Sequence, residues 1–338
     1  MAMMRRWVLS GFGRENLRLE DVPIPDPRPG EVVVKVAAVS LNYRDKLVIA
    51  GGMGQALDFP FTPGSDLAGT IIALGAGVTR FRVGDAVIST FFPDWIDGAP
   101  TGDARSPDGN ALGGGHPGVL AEYTAFPASW FVHAPGTLDL AEASTLPCAG
   151  LTAWFALIER GGLSAGSRVL VQGTGGVALF GLQIAKAHGA EVFVTSGDPE
   201  KRGRAQALGA DHVLDRLGWV EAVHHLTGSR GIDHILEIVG GAHLARSLEA
   251  VAVQGRVSVV GVIEGYDLAG SAGFLLLKTA TIQGIRVGHR RALEDLVRAV
   301  DVLHLKPVID RRYRFTALPE ALDHLDRGAF GEIVVTPD

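Results

Sequence analysis

The 338-residue chain is long enough for about two domains, and its 47% hydrophobic and 20% charged content is typical of a globular protein and excludes a disordered one. Its 31 Lys and Arg against 37 Asp and Glu leave a net charge of −6, which argues against nucleic-acid binding. A single cysteine, Cys148, excludes an intrachain disulfide and any multi-cysteine metal site, and favours a reducing compartment. Without an apolar run of roughly 18 residues, we expect a cytoplasmic protein that does not enter membranes.

The first 130 residues are dominated by short β-branched runs bounded by Gly and Pro. Three of these runs are predicted strands, at residues 31–40, 66–75 and 85–90. Because helix-length periodic segments are few between them, we predict a barrel-like β domain. Residues 93–118 form a long polar loop. The aromatic residues before and within it either line an apolar pocket or pack with the loop itself; they are Phe91, Phe92 and Trp95.

From about residue 165, strand-like and helix-like segments alternate. A buried strand at 167–173 is followed by apolar residues at a spacing of 3.6, which predicts a helix. The alternation continues to a sixth strand at 281–287. Six strands separated by crossover segments predict an α/β fold with a doubly wound, six-stranded parallel sheet. An amphipathic helix and a final strand at 332–337 follow.

The segment GTGGVA, residues 173–178, lies between the first strand of that sheet and its helix. Gly173 would make the turn, Gly175 would let the backbone approach a pyrophosphate, and the small Ala178 would let helix and strand pack closely. The N–H groups of Gly176 and Val177 at the helix N-terminus would bind phosphate. A structural turn is the alternative in a chain with 45 glycines. The flanking strand and helix favour dinucleotide binding.

The end of the second strand distinguishes the two nicotinamide cofactors. Ser196 stands where an NAD site carries a carboxylate for the ribose, and Lys201 and Arg202 follow it. Hydroxyl and cationic groups suit a 2′-phosphate, so we expect NADPH, with NADH possible. Asp198 could restore a carboxylate here, and the two cations could simply begin a solvated helix.

Several motifs, in order along the chain, resemble those of the medium-chain dehydrogenase/reductase superfamily. They are SLNYRD (40–45), PGSDLAG (63–69), GVLAEY (118–123), LPCAGLTAWFAL (146–157) and GTGGVALFGLQIAK (173–186). The resemblance implies a GroES-like β-barrel catalytic domain, residues 1–130 and 289–338, around a Rossmann domain, residues 131–288. It places the active site in the cleft between them. It also implies a homodimer through the edge strand at 281–287, where Ile282, Gly284 and Arg286 alternate.

The sequence departs from the zinc enzymes of this superfamily at the metal ligands. Asn42 stands in place of the first Cys, and Ser65-Asp66 in place of a His-Glu pair; only Cys148 matches a ligand. Because a catalytic zinc needs three protein ligands, we predict no metal. The chain therefore resembles the zinc-free, quinone oxidoreductase-like branch and the zinc-type alcohol dehydrogenase-like proteins that lack the ligands.

Without a Lewis acid, reduction of an activated C=C or a quinone demands less of the protein than alcohol oxidation. We expect Asn42 and Tyr43 to donate hydrogen bonds to the enolate that develops on an apolar carbonyl, enone or quinone substrate. Asn42 could instead cap a turn, and Arg44 and Asp45 are expected to form a structural pair. The alternatives are a zinc-free alcohol or aldehyde oxidoreductase and a non-catalytic NADPH-binding protein.

The resemblance also assigns residues to the nicotinamide. Thr152 matches the residue that touches its ring, and Val260, Gly261 and Val262 match the strand end whose backbone holds the carboxamide. A core role for the two valines is compatible with this. Glu332 stands where many relatives carry Lys, which puts a phosphate contact there in doubt.

Overall fold

The computed structural model describes residues 2–51, 53–54, 56–105, 107 and 110–338. Residues 106, 108 and 109 of the predicted loop therefore lie outside the described residues. The chain divides into two compact units, a first that runs to Leu151 and resumes at Gly288–Asp338, and a second at Thr152–Val287.

The strands alternate with helices mainly in the second unit. In chain order the strands are β1 Met3–Leu9, β2 Leu17–Pro23, β3 Glu31–Leu41, β4 Asp66–Leu74, β5 Ala86–Ser89, β6 Tyr123–Pro127, β7 Phe131–His133, β8 Arg168–Gln172, β9 Glu191–Thr195, β10 His212–Leu214, β11 Ile232–Glu237, β12 Val251–Val259, β13 Thr281–Gly284, β14 Ile309–Arg314 and β15 Glu332–Thr336. The α-helices are α1 Tyr43–Ala50, α2 Leu140–Ala143, α3 Leu151–Trp154, α4 Gly176–Ala187, α5 Pro199–Ala207, α6 Trp219–Leu226, α7 Leu244–Ala250, α8 Ala272–Leu277, α9 Arg290–Leu303 and α10 Leu318–Arg327.

The second unit contains the predicted six-stranded parallel sheet, in the order β10-β9-β8-β11-β12-β13. The central residues of β8 and β9 are apolar and buried because a parallel sheet is covered on both faces. Leu170, Phe193, Ile235 and Val257 are fully buried in its core. The order reverses between β8 and β11, and a doubly wound sheet binds its ligand at the carboxyl ends of the strands at such a point.

The first unit is built on a mainly antiparallel sheet in the order β14-β15-β3-β4-β5-β7, with β6 also paired to β3 and a separate β1-β2 hairpin. In its middle, Ser40 of β3 is paired with Val334 of β15 on one side and with Asp66 of β4 on the other. Side chains alternate between the faces of a strand, so Glu332 shares the face of Val334. Three polar residues from distant parts of the chain thereby meet on one buried face.

Among the helices described above, none combines the length and the apolar character needed to traverse a lipid bilayer.

Candidate active site

Asn42 lies at the junction between β3 and α1. Its backbone N–H donates to Asp45 Oδ2 at 2.7 Å, and the Asp45 N–H donates to the Asn42 carbonyl oxygen at 2.9 Å. The Asn42 side chain turns the other way, with Nδ2 donating to Ser65 Oγ at 3.4 Å. Asn42 thus occupies the N-cap position that the turn alternative requires, and its amide also joins a buried polar chain.

That chain continues through Ser65 and Asp66, which are both fully buried. Ser65 Oγ donates to Asp66 Oδ1 at 2.6 Å, and the backbone N–H of Cys148 donates to Asp66 Oδ2 at 2.8 Å. Cys148 belongs to a π-helical turn, Leu146–Gly150, that precedes α3. The structure therefore brings together in the first unit the four residues that stand at the zinc-ligand positions.

Burial controls the protonation of these groups. Removal from water, with the nearby Asp45 carboxyl, raises the pKa of Asp66 to about 7 despite its hydrogen bonds from Ser65, Asn42 and Cys148. The pKa of the Cys148 thiol is raised well above its usual value by burial and by Asp66. Burial therefore favours the protonated form of both groups.

Glu332 extends the same buried face. It is 4% exposed, and Ser40 Oγ donates to its Oε2 at 3.2 Å, while Oε1 has no hydrogen-bond partner among the described residues. Burial and the neighbouring Asp66 raise the pKa of Glu332 to about 8. A carboxyl in this setting is favoured in its neutral form.

The donor set of this cluster does not fit zinc. Asn42 is a neutral amide engaged with Ser65, and both oxygens of Asp66 accept hydrogen bonds. Zinc binds the thiolate form of cysteine, which burial disfavours at Cys148. Across the described ranges, His, Cys, Asp and Glu side chains form no group of three arranged to hold a metal ion.

Tyr43 and Arg44, which follow Asn42, do not join its buried polar chain. Tyr43 is 44% exposed, and the ammonium of Lys46 lies 4.1 Å from the centre of its ring. Between the predicted pair of Arg44 and Asp45 the described part of the chain has no close ion pair, although the positive charge of Arg44 opposes the rise in the pKa of Asp45. Arg44 Nη1 instead donates to the carbonyl oxygens of Leu112 and Gly113, at 3.1 and 3.3 Å.

The aromatic residues beside the predicted loop pack with one another. Phe91 and Phe92 meet edge to face with ring centroids 4.8 Å apart, and Trp95 follows at 6.3 Å from Phe92. The Trp95 indole N–H donates to the Gly98 carbonyl at 3.1 Å. Of the two alternatives, the structure favours a loop that packs on its own aromatic residues.

In the second unit, the Gly-rich turn joins β8 to α4 as the sequence predicts. Gly173 has φ +80°, and its N–H donates to the Thr195 carbonyl at 2.8 Å. Gly175 is the extended N-cap of α4, and the first helical hydrogen bond reaches it from Leu179 at 3.0 Å. The N–H groups of Gly176, Val177 and Ala178 therefore precede the helical ladder and are available to an anion.

The space around this turn is open. A Cβ added at Gly173 or Gly175 would have nothing within 4 Å. Ala178 is fully buried, but the closest approach of helix to sheet is at Gly181, where a Cβ would lie 2.6 Å from Leu236 Cδ1 and 3.0 Å from Val171 Cγ1. Packing thus depends on Gly181, which the motif analysis did not single out.

The end of β9 holds the residues that the sequence predicts for a 2′-phosphate site, and a further cation lies beside them. Ser196 is buried, and Asp198 Oδ1 accepts the N–H groups of Glu200 and Lys201 at 2.9 and 3.2 Å. Asp198 is therefore the N-cap of α5, and its carboxylate is engaged by the helix instead of being free for a ribose. The exposed Arg216, which sequence reasoning missed, places its Nε 4.0 Å from the Cβ position of Gly197.

The two remaining predicted cofactor segments are also in the second unit. Thr152 is a buried residue of α3. Val260, Gly261 and Val262 are half-buried and follow β12 directly, so that they lie at the carboxyl edge of the sheet. The N–H groups of Val260 and Gly261 donate to the backbone carbonyl of Glu237 at 2.8 and 3.2 Å. Sequence reasoning did not find Glu237, the buried last residue of β11.

Two family models of known proteins match this chain. Residues 28–136 match the family model of the alcohol dehydrogenase GroES-like domain, and residues 176–301 match that of the zinc-binding dehydrogenases. A zinc-type alcohol dehydrogenase-like protein of Schizosaccharomyces pombe is 37% identical, over 98% of this chain and 97% of its own. The quinone oxidoreductase of Homo sapiens is 28% identical, over 96% and 94% of the two chains.

A solved structure agrees closely with the fold. The crystal structure of a "putative alcohol dehydrogenase" from Sinorhizobium meliloti is 61% identical, covers 99% of each chain and has a TM-score of 0.97. The first unit thus contains a GroES-like domain and the second a Rossmann domain. The chain is an oxidoreductase that belongs to the medium-chain dehydrogenase/reductase superfamily.

Proposed function

We propose that this oxidoreductase transfers hydride from NADPH to an activated C=C bond of an enone, or to a quinone, without zinc. The observation that carries the proposal is the chain from Asn42 through Ser65 to Asp66, because it puts proton-holding groups where a zinc enzyme needs metal ligands. Residues 1–130 and 289–338 would supply the catalytic groups, and residues 131–288 would bind the cofactor. The human relative named quinone oxidoreductase supports the substrate class.

The residues of the chain would divide the work by chemistry. Bound NADPH would supply a hydride for the electron-poor carbon, leaving NADP⁺, and the displaced π electrons would become negative charge on the carbonyl oxygen. The Asn42 amide and the Tyr43 hydroxyl would donate hydrogen bonds to that oxygen. The proton that completes the product would come from the Ser65 hydroxyl, replaced from the carboxyl of Asp66, whose pKa of about 7 suits proton exchange near neutral pH.

The cofactor would be held by residues of three kinds. The pyrophosphate would bind N–H groups of the Gly-rich turn, the 2′-phosphate would bind hydroxyl and cationic side chains, and the nicotinamide would bind one side chain and one strand end. In that order they are Gly173, Gly175, Gly176, Val177 and Ala178; Ser196, Lys201 and Arg216; and Thr152, Val260, Gly261 and Val262. Asp198 caps α5, which supports NADPH over NADH.

An assay of NADPH oxidation against four probes tests the function. We expect turnover of 1,4-benzoquinone and 2-cyclohexenone to exceed that of benzaldehyde and of ethanol with NADP⁺. A preference for the aldehyde or alcohol would favour the zinc-free alcohol or aldehyde oxidoreductase instead. NADPH binding without turnover of any probe would favour a non-catalytic protein.

Metal content tests the zinc-free assignment separately. Purified protein should contain far less than one zinc per chain, and a chelator should leave both fold and turnover intact. Cys148→Ala should keep turnover within roughly tenfold, about 1.4 kcal/mol of barrier, because the thiol is a packing group in this proposal. Stoichiometric zinc, or activity lost to a chelator and restored by zinc, would overturn it.

We also propose a homodimer formed through the β13 edge and a cytoplasmic location. Strand β13 is the outermost strand of the second unit's sheet, and an edge of unpaired backbone groups invites pairing with a second copy. The single cysteine agrees with a reducing compartment. Cell fractionation that found the protein in another compartment would contradict the location.

A further inference from the structure

Glu237 is a charged side chain at the centre of the Rossmann sheet. It ends β11, the strand beside β8, and is 0% exposed. Burial alone would raise its pKa, but hydrogen bonds from His243, Ser247, Gln172 and the Gly240 backbone outweigh burial and hold the pKa below its usual value. Glu237 is therefore a buried carboxylate rather than a neutral acid.

Five donors surround this carboxylate. Oε1 accepts the backbone N–H groups of Val239 and Gly240, each at 3.0 Å. Oε2 accepts Gln172 Nε2 at 2.9 Å, the His243 ring Nδ1 at 3.1 Å and the hydroxyl of Ser247. A buried anion is stable only when its lone pairs accept hydrogen bonds in this way. A neutral side chain at this position would point a donor of its own at the surrounding donors.

Glu237 and its partners connect three segments at the carboxyl edge of the sheet: the Gly-rich turn, the 238–241 loop and the 260–262 segment. Gln172 immediately precedes Gly173 of the Gly-rich turn, and its Oε1 accepts the Ile238 N–H at 3.2 Å. The Glu237 backbone carbonyl accepts the N–H groups of Val260 and Gly261. The 238–241 loop and the 260–262 segment pack tightly, since a Cβ at Gly261 would lie 2.1 Å from the Ile238 carbonyl oxygen.

We infer that Glu237 is a positioning residue for the dinucleotide: its carboxylate fixes the 238–241 loop against Gln172 beside the Gly-rich turn, and the loop in turn packs on the 260–262 segment, so that the three segments form one preformed surface. This inference rests on the cofactor site proposed above. Preorganisation strengthens binding because the loops need not be ordered when the ligand arrives. In Glu237→Gln, the new amide NH₂ faces the Gln172 amide and the Ser247 hydroxyl. Flipping Gln172 to accept it would turn an NH₂ toward the Ile238 N–H.

The test compares Glu237→Gln with Glu191→Gln. Glu191 lies at the opposite, amino-terminal edge of the same sheet, where it pairs with Arg168 at 2.8 Å and His212 at 2.9 Å. Fluorescence titration should show NADPH and NADH both bound at least tenfold more weakly by Glu237→Gln, since the lost order is remote from the 2′-phosphate. Glu191→Gln should change the Kd of either cofactor less than twofold, even if its melting temperature falls as much as that of Glu237→Gln. Glu237→Asp, which restores the charge, should recover part of the affinity.

The outcomes separate this inference from the proposed function. If the wild-type protein bound neither NADPH nor NADH, the proposed function would fail. If the wild type bound NADPH and Glu237→Gln bound it equally well, or Glu191→Gln weakened it as much, the positioning role alone would be refuted. Should Glu237→Gln not fold, Ser247→Ala removes a single donor from α7. A threefold or greater weakening of NADPH by that variant would support the role, and an unchanged Kd would overturn it.

Discussion

Three buried carboxyl groups in the first unit make its stability depend on pH. Burial raises the pKa of Asp45 to about 6, that of Asp66 to about 7 and that of Glu332 to about 8. In the unfolded chain the same groups ionise near pH 4. The folded state therefore holds protons that the unfolded state has released, and the stabilisation is present below about pH 4 and lost as pH rises through 6 to 8.

We accordingly expect Glu332→Gln to be less sensitive to alkaline pH than the wild type. Glutamine is neutral at every pH, so the step that ends near pH 8 should disappear from the free energy of unfolding. Urea denaturation at pH 6 and pH 9 measures the difference, which should be about 2–3 kcal/mol because pH 6 lies two units below the folded pKa of about 8. Glu221→Gln on the exposed face of α6 is the control and should keep the wild-type profile. A profile for Glu332→Gln that matched the wild type would contradict a neutral Glu332.

The proposed selectivity for NADPH depends on single side chains and can be tested at them. Lys201→Ala and Arg216→Ala should each weaken NADPH roughly tenfold or more, because a charge-assisted hydrogen bond to phosphate is worth about 1.5–3 kcal/mol. Binding of NADH should barely change, since it lacks the 2′-phosphate. Parallel fluorescence titrations with both cofactors give the ratio. Equal or tighter binding of NADH by the wild type would overturn the preference.

At the scale of elements, two glycines of the β8–α4 unit should separate binding from stability. Gly181→Ala introduces a Cβ 2.6 Å from Leu236 Cδ1 in a packed core. Overpacking costs about 1–3 kcal/mol, which outweighs the roughly 0.5–1 kcal/mol by which Ala is favoured over Gly within a helix. Urea denaturation should therefore show Gly181→Ala to be destabilised.

Gly175→Ala is the matched counterpart. Its backbone is extended and its Cβ meets open space, so stability should be unchanged or slightly raised. NADPH affinity should nevertheless fall more than tenfold, because the Cβ would occupy the approach of the pyrophosphate. Unaltered NADPH binding by Gly175→Ala would remove the turn from the cofactor site.

The sequence was informative where a local pattern determines the structure. The strand, Gly-rich turn and helix around Gly173 follow from contiguous residues, and the six-stranded sheet was predicted from its alternating pattern. Arg216 and Glu237 were not found, because each acts beside residues about 20 to 65 positions away, such as Gly197 and Gln172. Arg44 and Asp45 attract each other without a close ion pair, because neighbouring side chains that begin a helix point in different directions.

For the whole molecule, the oligomeric state is open to a direct test. Helix α8 immediately precedes the β13 edge and carries Leu276 and Leu277, which are 73% and 84% exposed. If a second copy covers this region, Leu277→Asp should convert a dimer into a monomer in light scattering. Leu217→Asp is the control, because Leu217 is 77% exposed but follows β10 at the opposite edge of the sheet. A wild-type monomer at micromolar concentration would exclude the dimer.

The position of β15 within the first unit has a consequence for synthesis on the ribosome. Residues 332–336 pair with β3 and β14 in the interior of the sheet, although the whole Rossmann unit lies between β3 and β15 in the chain. The Rossmann unit can therefore fold while the nascent chain is still being extended. The GroES-like sheet cannot be completed until translation has passed residue 336, and until then residues 39–41 of β3 lack the strand that pairs with them.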